Sequence, residues 1–334
     1  MGQRRATASR GQRGLKAPRS RARDRLNLGQ LSNIPSTAAG NTTQGLLRAK
    51  SQIVVLSGAG ISVNAGCKRA LHYLELHRLT TFLSVPDFRS QIGLHRSQRG
   101  LFDISVYNND ESTHDFHHMI EGLYNKSLRA VPTPFHFFLE RLAASGQLVR
   151  HYTQNIDCIE DDLPYLKPND APTSSKEQRS KTIQLHGRLR TMVCQKCRLE
   201  DTFAPELFHE RSVPICPRCD EIEMRRVAEG KRSRGIGRLR PRIVLYGEAN
   251  PDEDLIGETV EKDLQKPIDT VLVVGTTMKV PGMKRLVTEF SRAAKARPAS
   301  TVIWVSKEAP PAQLKRVFDV ILLSDCDDTI ALLE

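Results

Sequence analysis

Three short runs in this chain carry no polar interruption: Ile53-Val54-Val55-Leu56, Val271-Leu272-Val273-Val274 and Val302-Ile303-Trp304-Val305. A strand that alternates apolar and polar residues can leave one face in water. A strand without alternation has to be covered on both faces, the situation of a parallel sheet flanked by helices. Helical stretches separate the runs, so the expected architecture is α/β, a Rossmann-type doubly wound parallel sheet. Residues 148–152, 183–187, 243–248 and 318–323 read as further strands or strand ends, and Pro134 opens an amphipathic helix that closes near Gly146. No internal repeat is visible.

The turns at the strand ends carry the chemistry. The first run ends in Gly58-Ala59-Gly60-Ile61-Ser62, a small-residue turn feeding a helix N-terminus, where backbone N–H groups can hold a phosphate. Gly-Ala-Gly is only part of a dinucleotide fingerprint, and an ordinary strand-to-helix turn would use the same glycines. Residues 148–152 deliver Thr153-Gln154-Asn155-Ile156-Asp157 to a carboxyl strand end, where open parallel sheets bind ligands. Polar side chains there are costly to bury without partners, which favours a polar ligand over a structural turn. His186-Gly187 places one imidazole at another strand end. It is either a satisfied structural residue or a base matched to neutral pH. Gly275-Thr276-Thr277 ends a third run with hydroxyls suited to ribose or phosphate contacts.

Cys194-x-x-Cys197 and Cys216-x-x-Cys219 have the spacing of a four-thiolate zinc ribbon. All four ligands come from protein, so no coordination position is left for water or substrate, and one structural Zn2+ is expected. Redox dithiols are the competing reading. Seven cysteines, an odd number, together with no apolar signal segment point to a reducing compartment. No run approaches the roughly 20 apolar residues of a membrane span, so no membrane partner is expected.

The formal net charge is +12. It concentrates in the first 25 residues and in residues 225–242, which makes polyanions plausible partners. Residues 1–43 hold almost no large apolar side chains and are expected to form a disordered basic tail. Its arginines suit a nuclear localisation signal, a nucleic-acid tether, a mitochondrial presequence or a merely solvated tail. Residues 67–84 interrupt the segment after the glycine turn. They read either as a helical insertion or as a retained intron, since Cys67-Lys68, Leu79-Thr80 and Ser84-Val85 can be spelled with donor, branch and acceptor signals.

Taken in order, Gly58-Ala59-Gly60-Ile61-Ser62, Pro86-Asp87-Phe88-Arg89, Thr153-Gln154-Asn155-Ile156-Asp157, His186-Gly187, the two cysteine pairs and Gly275-Thr276-Thr277 closely resemble the sirtuins, NAD-dependent protein-lysine deacylases. The resemblance covers about residues 44–330. It implies a large Rossmann part (about 44–66, 85–95, 131–190 and 243–334) and an inserted small domain of zinc ribbon plus helical module (about 96–130 and 191–242). NAD+ as co-substrate and an acetyl-lysine peptide would lie in the cleft between them. By the same resemblance Gly58, Ala59, Gly60 and Ser62 line the pyrophosphate, and Asn155 and Asp157 hold the nicotinamide carboxamide. Phe88 shields the reacting ribose carbon, Arg89 and Gln154 contact phosphate and ribose, and Asp87, Gly275, Thr276, Thr277, Ser306 and Cys326 complete the cofactor site. Val244, Tyr246, Gly247 and Glu248 resemble the segment that pairs with the substrate peptide as an added strand. The acetyl oxygen would attack the ribose carbon as nicotinamide leaves, His186 would deprotonate a ribose hydroxyl, and acetyl-ADP-ribose and free lysine would be released, with Asn155 and His186 as the catalytic pair.

Thr277 stands where the family usually has Ser, and Ser306 where an Asn usually contacts the adenosine ribose. The insertion at 67–84 splits the cofactor loop. The basic tail, the basic segment and the polar stretch 167–181 are similar to the nuclear, histone-directed sirtuins of fungi, which implies a nuclear protein acting on acetylated histones, with chromatin or DNA against its basic patches. Two alternatives stay open: a protein ADP-ribosyltransferase using the same NAD site, and a catalytically impaired NAD- and zinc-binding module.

Overall fold

The computed structural model describes residues 25–27, 51–65, 99–167 and 180–333. Asp87, Phe88, Arg89 and the whole 67–84 insertion lie outside the described residues.

Seven parallel strands build the main sheet. They are β1 (Arg25–Asn27), β2 (Ile53–Ser57), β3 (Leu148–Thr153), β4 (Thr182–Gln184), β8 (Thr270–Val274), β9 (Thr301–Val305) and β10 (Val320–Leu323). Their order across the sheet is β1-β10-β9-β8-β2-β3-β4. The unbroken apolar runs are explained by cover on both sides. Ile53 and Val55 of β2 pack with Phe135, Phe138, Leu139 and Leu142 of helix α2 (Pro134–Ala144). Val54 and Leu56 pack on the opposite face with Val287, Phe290 and Ala294 of α5 (Pro281–Lys295) and with Val260 of α4 (Glu253–Leu264). Successive side chains of one strand thus enter two cores. Thr133 caps α2 at its start, its hydroxyl accepting from His136 N, and Pro134 takes the first helical position, where no N–H is needed.

From β2 the chain winds outward to β3 and β4. It returns at β8 on the other flank of β2 and winds the opposite way through β9 to β10. The carboxyl ends of β2 and β8 therefore bound the crevice where the winding direction reverses, the position at which such sheets take ligands.

A second, three-stranded antiparallel sheet comprises β5 (Gly187–Cys194), β6 (Glu200–Thr202) and β7 (Leu239–Ile243), with β5 in the middle. Between β6 and β7 lies α3 (Pro217–Ala228), and α1 (Asp110–Arg129) packs on the same unit. Phe116, Met119, Ile120 and Leu123 of α1 share one core with Leu189, Phe203, Phe208, Leu239 and the cysteines. Ribbon and helical module are one packed body.

One expectation needs correction. The strand expected over 243–248 ends where it was expected to begin: β7 is Leu239–Ile243, paired antiparallel to β5 in the small sheet. Its arginines disguised it. Arg240 is neutralised by Glu248, and Arg242 by Glu200 and Asp252, so a charged-looking strand can be buried. Of residues 1–43 the structure describes Arg25–Asn27, which form β1, paired parallel to β10 at the edge of the sheet. Among the described residues no helix is long and apolar enough to cross a membrane.

Candidate active site and metal centre

Three glycines let the ends of β2 and β8 touch. Gly60 N donates to Gly275 O at 2.8 Å, and a Cβ on Gly60 would lie 2.5 Å from Gly275 Cα. Gly275 has φ +59, a conformation that side chains disfavour. The third, Gly58, would bring a Cβ to 2.9 Å from Gly275 O. The result is a cradle of bare backbone, closed by a short 3-10 turn over Ala59–Ile61 and by buried Ser62. That is the shape a diphosphate needs for close approach.

The segment leaving β3 stands beside it. Asn155 and Asp157 are each 5% exposed. Asn155 Nδ2 donates to Ser62 Oγ at 3.0 Å, and the Ser62 hydroxyl also favours the Asp157 anion, so the amide, the hydroxyl and the acid stand together across the crevice. Burial raises the Asp157 pKa, while Ser62 and the Ile159 N–H oppose the rise. Thr276 Oγ1 donates to Gln154 Oε1 at 2.7 Å, joining the ends of β8 and β3. Thr277 is half-buried next to it; Ser306 at the end of β9 and Cys326 beyond β10 are buried.

His186 follows β4, half-buried, its Nδ1 3.2 Å from the carbonyl of Gln154. A carbonyl only accepts, so this contact puts the proton on Nδ1 and leaves Nε2 with the free lone pair. Burial lowers the imidazole pKa below its usual 6.5, partly offset by that carbonyl. His186 is thus a neutral base at physiological pH. Gly187 has φ +84, and a Cβ there would run into Arg242 O, which explains the glycine after the imidazole.

The expected peptide segment is already engaged. Val244 N donates to His186 O, Tyr246 N donates to Phe102 O, and Tyr246 O accepts from Ile104 N. Both oxygens of Glu248 accept from Arg240 at 2.7 Å, and Leu245 N donates to one of them. Glu248 therefore fastens the turn at Gly247, φ +85, from the inside. The Tyr246 side chain is exposed.

Several residues around the crevice have no local pattern that could have marked them. Asn64 Nδ2 donates to Asp325 at 3.1 Å and Asp327 at 2.8 Å, tying the glycine turn to the end of β10. Beneath the site, Ser57 Oγ lies 2.7 Å from His151 Nε2, and His151 Nδ1 lies 3.9 Å from Glu160 Oε1. Glu160 is fully buried, and among the described residues neither carboxyl oxygen has a hydrogen-bond partner. Burial first, and the neighbouring Asp157 second, push its pKa up to about 8.

In the small unit Cys194 Sγ and Cys219 Sγ are 3.7 Å apart and Cys197 Sγ and Cys216 Sγ 3.8 Å, with all four sulfurs within 4.8 Å of one another. Zinc–thiolate bonds of about 2.3 Å give a tetrahedron with edges of about 3.8 Å. The donor set fits one tetrahedral zinc. Backbone N–H groups of Lys196 and Cys197 point at Cys194 Sγ, each at 3.4 Å, and Cys216 and Cys219 begin α3, whose N-terminus favours thiolate charge. Gly237 is required, since a Cβ there would sit 2.5 Å from Cys194 Sγ.

Residues 79–282 match the model of the Sir2 family. The chain is 37% identical over 297 residues to an NAD-dependent protein deacetylase hst4 of Emericella nidulans, covering 86% of this chain and 47% of that one. It is 36% identical over 304 residues to the NAD-dependent histone deacetylase HST4 of Saccharomyces cerevisiae, covering 86% and 76%. The chain thus spans about half the length of the first relative and three quarters of the second. A solved Sir2 structure with a p53 peptide and NAD+ superposes with a TM-score of 0.60 at 20% identity, over 87% of this chain and 95% of that one.

Proposed function

Because this chain belongs to the Sir2 family, we propose that it is an NAD+-dependent protein-lysine deacetylase acting on acetylated histones, with His186 as its general base. The observation that carries this reading is the meeting of the glycine cradle, the Asn155–Ser62 hydrogen bond with buried Asp157 beside it, and an imidazole whose tautomer is fixed by Gln154 O. NAD+ would supply an electrophilic ribose carbon with nicotinamide as leaving group. Gly58, Ala59, Gly60 and Ser62 would hold its diphosphate, Gln154, Gly275, Thr276, Thr277, Ser306 and Cys326 its sugars and base, and Asn155 and Asp157 its carboxamide. His186 Nε2 would take the proton of a ribose hydroxyl. Asp87, Phe88 and Arg89 belong to the same site by the family motif.

The substrate peptide would lie along Val244, Tyr246 and Gly247, with the exposed Tyr246 ring as its platform. Since Tyr246 N–H and C=O are paired with residues 102–104, we infer that strand addition uses other backbone groups of this loop or displaces that pairing. The exposed residues Arg225, Lys231, Arg232 and Arg234 favour a nuclear protein in contact with DNA phosphates.

The test is nicotinamide release from NAD+ with and without acetylated core histones, for the wild type, for H186A and for a variant lacking residues 67–84. Release that needs the acetylated protein and is lost in H186A supports deacetylation. Transfer of the ADP-ribosyl group to unacetylated protein would overturn it in favour of a transferase.

A further inference from the structure

Between α3 and β7 the chain passes through Lys231-Arg232-Ser233-Arg234-Gly235, and most of what holds this loop belongs to its neighbours. Glu223 of α3 is 8% exposed, and its two oxygens accept from Arg234 N at 2.9 and 3.2 Å. Lys196, which stands between Cys194 and Cys197, donates from Nζ to Arg234 O at 2.7 Å and Gly235 O at 2.6 Å. Arg226 of α3 donates from Nη2 to Arg232 O at 3.0 Å, and Lys231 N donates to Arg226 O at 3.0 Å. The helix thus turns an acid inward while Met224 and Val227 stay exposed. Covering a carboxylate is costly unless it gains hydrogen bonds, and those that Glu223 gains fix the shape of a loop.

The cationic side chains of the loop do little of this holding. Lys231 pairs with Glu229 at 2.6 Å, and the exposed Arg232 and Arg234 side chains make no hydrogen bond or ion pair among the described residues. Guanidinium groups match phosphate oxygens in shape and charge. A backbone fixed before the partner arrives loses less entropy on binding than a loose loop. Resting on the histone reading above, since DNA wraps histones, we propose that residues 231–235 are a preorganised contact for DNA phosphates, with Glu223 and Lys196 as positioning residues that hold its backbone from inside. An acid within a basic surface thereby promotes the binding of a polyanion.

The experiment is fluorescence anisotropy of the full chain with mixed-sequence duplex DNA over a series of salt concentrations. Replacing Arg232 and Arg234 together by Ala should weaken binding and reduce the slope of log K against log salt by about two. Glu223→Ala and Glu223→Gln remove the same charge, but only the glutamine oxygen can still accept from Arg234 N. Charge alone predicts equal affinities for these two variants. The proposal predicts that E223A binds DNA about two- to tenfold more weakly than E223Q, the net worth of the lost hydrogen bonding. Equal affinities, an unchanged slope in the double arginine variant, or a wild type that binds polyglutamate and not DNA overturns the proposal. If E223A does not fold, Ser233→Ala replaces it, because Ser233 Oγ accepts from Gly235 N at 3.2 Å and the change carries no charge. Weaker binding by S233A then supports the proposal and unchanged binding refutes it. Nicotinamide release on free acetylated histones, measured in parallel, keeps the two readings apart: activity without DNA binding refutes this proposal alone, and DNA binding without activity refutes the deacetylase reading.

Discussion

Asn155 donates its side-chain amide to Ser62 Oγ across 3.0 Å, and this one bond joins the segment leaving β3 to the glycine turn leaving β2. The same Ser62 hydroxyl favours the anion of Asp157. A buried partner left unsatisfied costs about 1–3 kcal/mol, equivalent to roughly 5- to 150-fold. Asn155→Ala should lower kcat/KM for NAD+ by at least that factor, because it removes a ligand contact and releases Ser62 together. Steady-state nicotinamide release measures it, and an unchanged value would remove Asn155 from the site.

Gly60→Ala tests the cradle. The new methyl would meet Gly275 Cα at 2.5 Å and Gly275 O at 2.8 Å, both backbone, so the ends of β2 and β8 have to separate. Overpacking of this kind costs about 1–3 kcal/mol. We expect a lower Tm and loss of NAD+-induced thermal stabilisation, whereas Gly257→Ala, with nothing within 4 Å in the interior of α4, should raise Tm slightly and keep the NAD+-induced stabilisation.

Metal removal should act on the small unit alone at first. The four sulfurs belong to the same core as Phe116, Phe203 and Leu239, so stripping zinc exposes that core while both cores of the parallel sheet keep their cover. Strong chelation or Cys216→Ser should abolish the stoichiometric zinc seen by atomic absorption. It should also shift the near-ultraviolet circular dichroism, and activity should fall through lost structure, because no coordination position is open for chemistry. Retention of zinc by the variant would refute the assignment.

The parts of the molecule that could be read from the sequence are those encoded by neighbours in the chain. Two Cys-x-x-Cys pairs announce their tetrahedron by local spacing, and the runs at Ile53 and Val271 announce two-sided burial by composition. The parts that could not be read depend on distant partners. Leu239-Arg240-Pro241-Arg242-Ile243 looks like a solvated basic stretch until Glu248, Glu200 and Asp252 are placed against its arginines. Likewise no local pattern announces that both side-chain oxygens of Glu248 accept from Arg240. Glu160 carried no sequence signal, because an acid after a polar strand end ordinarily faces water.

Glu160 also predicts a stability profile. Its folded pKa is raised above the ordinary glutamate value of 4.5, so between that value and about 8 the folded state holds a proton that the unfolded state has lost. Stability from this group is therefore complete below 4.5, declines as pH rises, and stops declining above about 8. Glu160→Gln is neutral at every pH and escapes the decline. The variant should gain stability over the wild type progressively from about pH 5 to about pH 8 in denaturant titrations, and a constant difference would count against a protonated Glu160.

The pH dependence of turnover reports on His186. His186 has its pKa lowered by burial, so the form with a free Nε2 lone pair persists below pH 6.5 and the acid limb of kcat should lie under that value. Positioned general-base catalysis contributes about 10²- to 10⁴-fold. His186→Ala should lose that factor and, with it, the acid limb, leaving a flat residual rate. Exchange of nicotinamide into NAD+ should be far less affected, because it needs the acetyl group and the leaving group but no deprotonated ribose hydroxyl. If H186A lost exchange and net deacetylation equally, the imidazole would be holding the substrate and not taking its proton. Gln154→Ala cannot serve as a control, since the bond that fixes the tautomer comes from the Gln154 backbone carbonyl and survives that change.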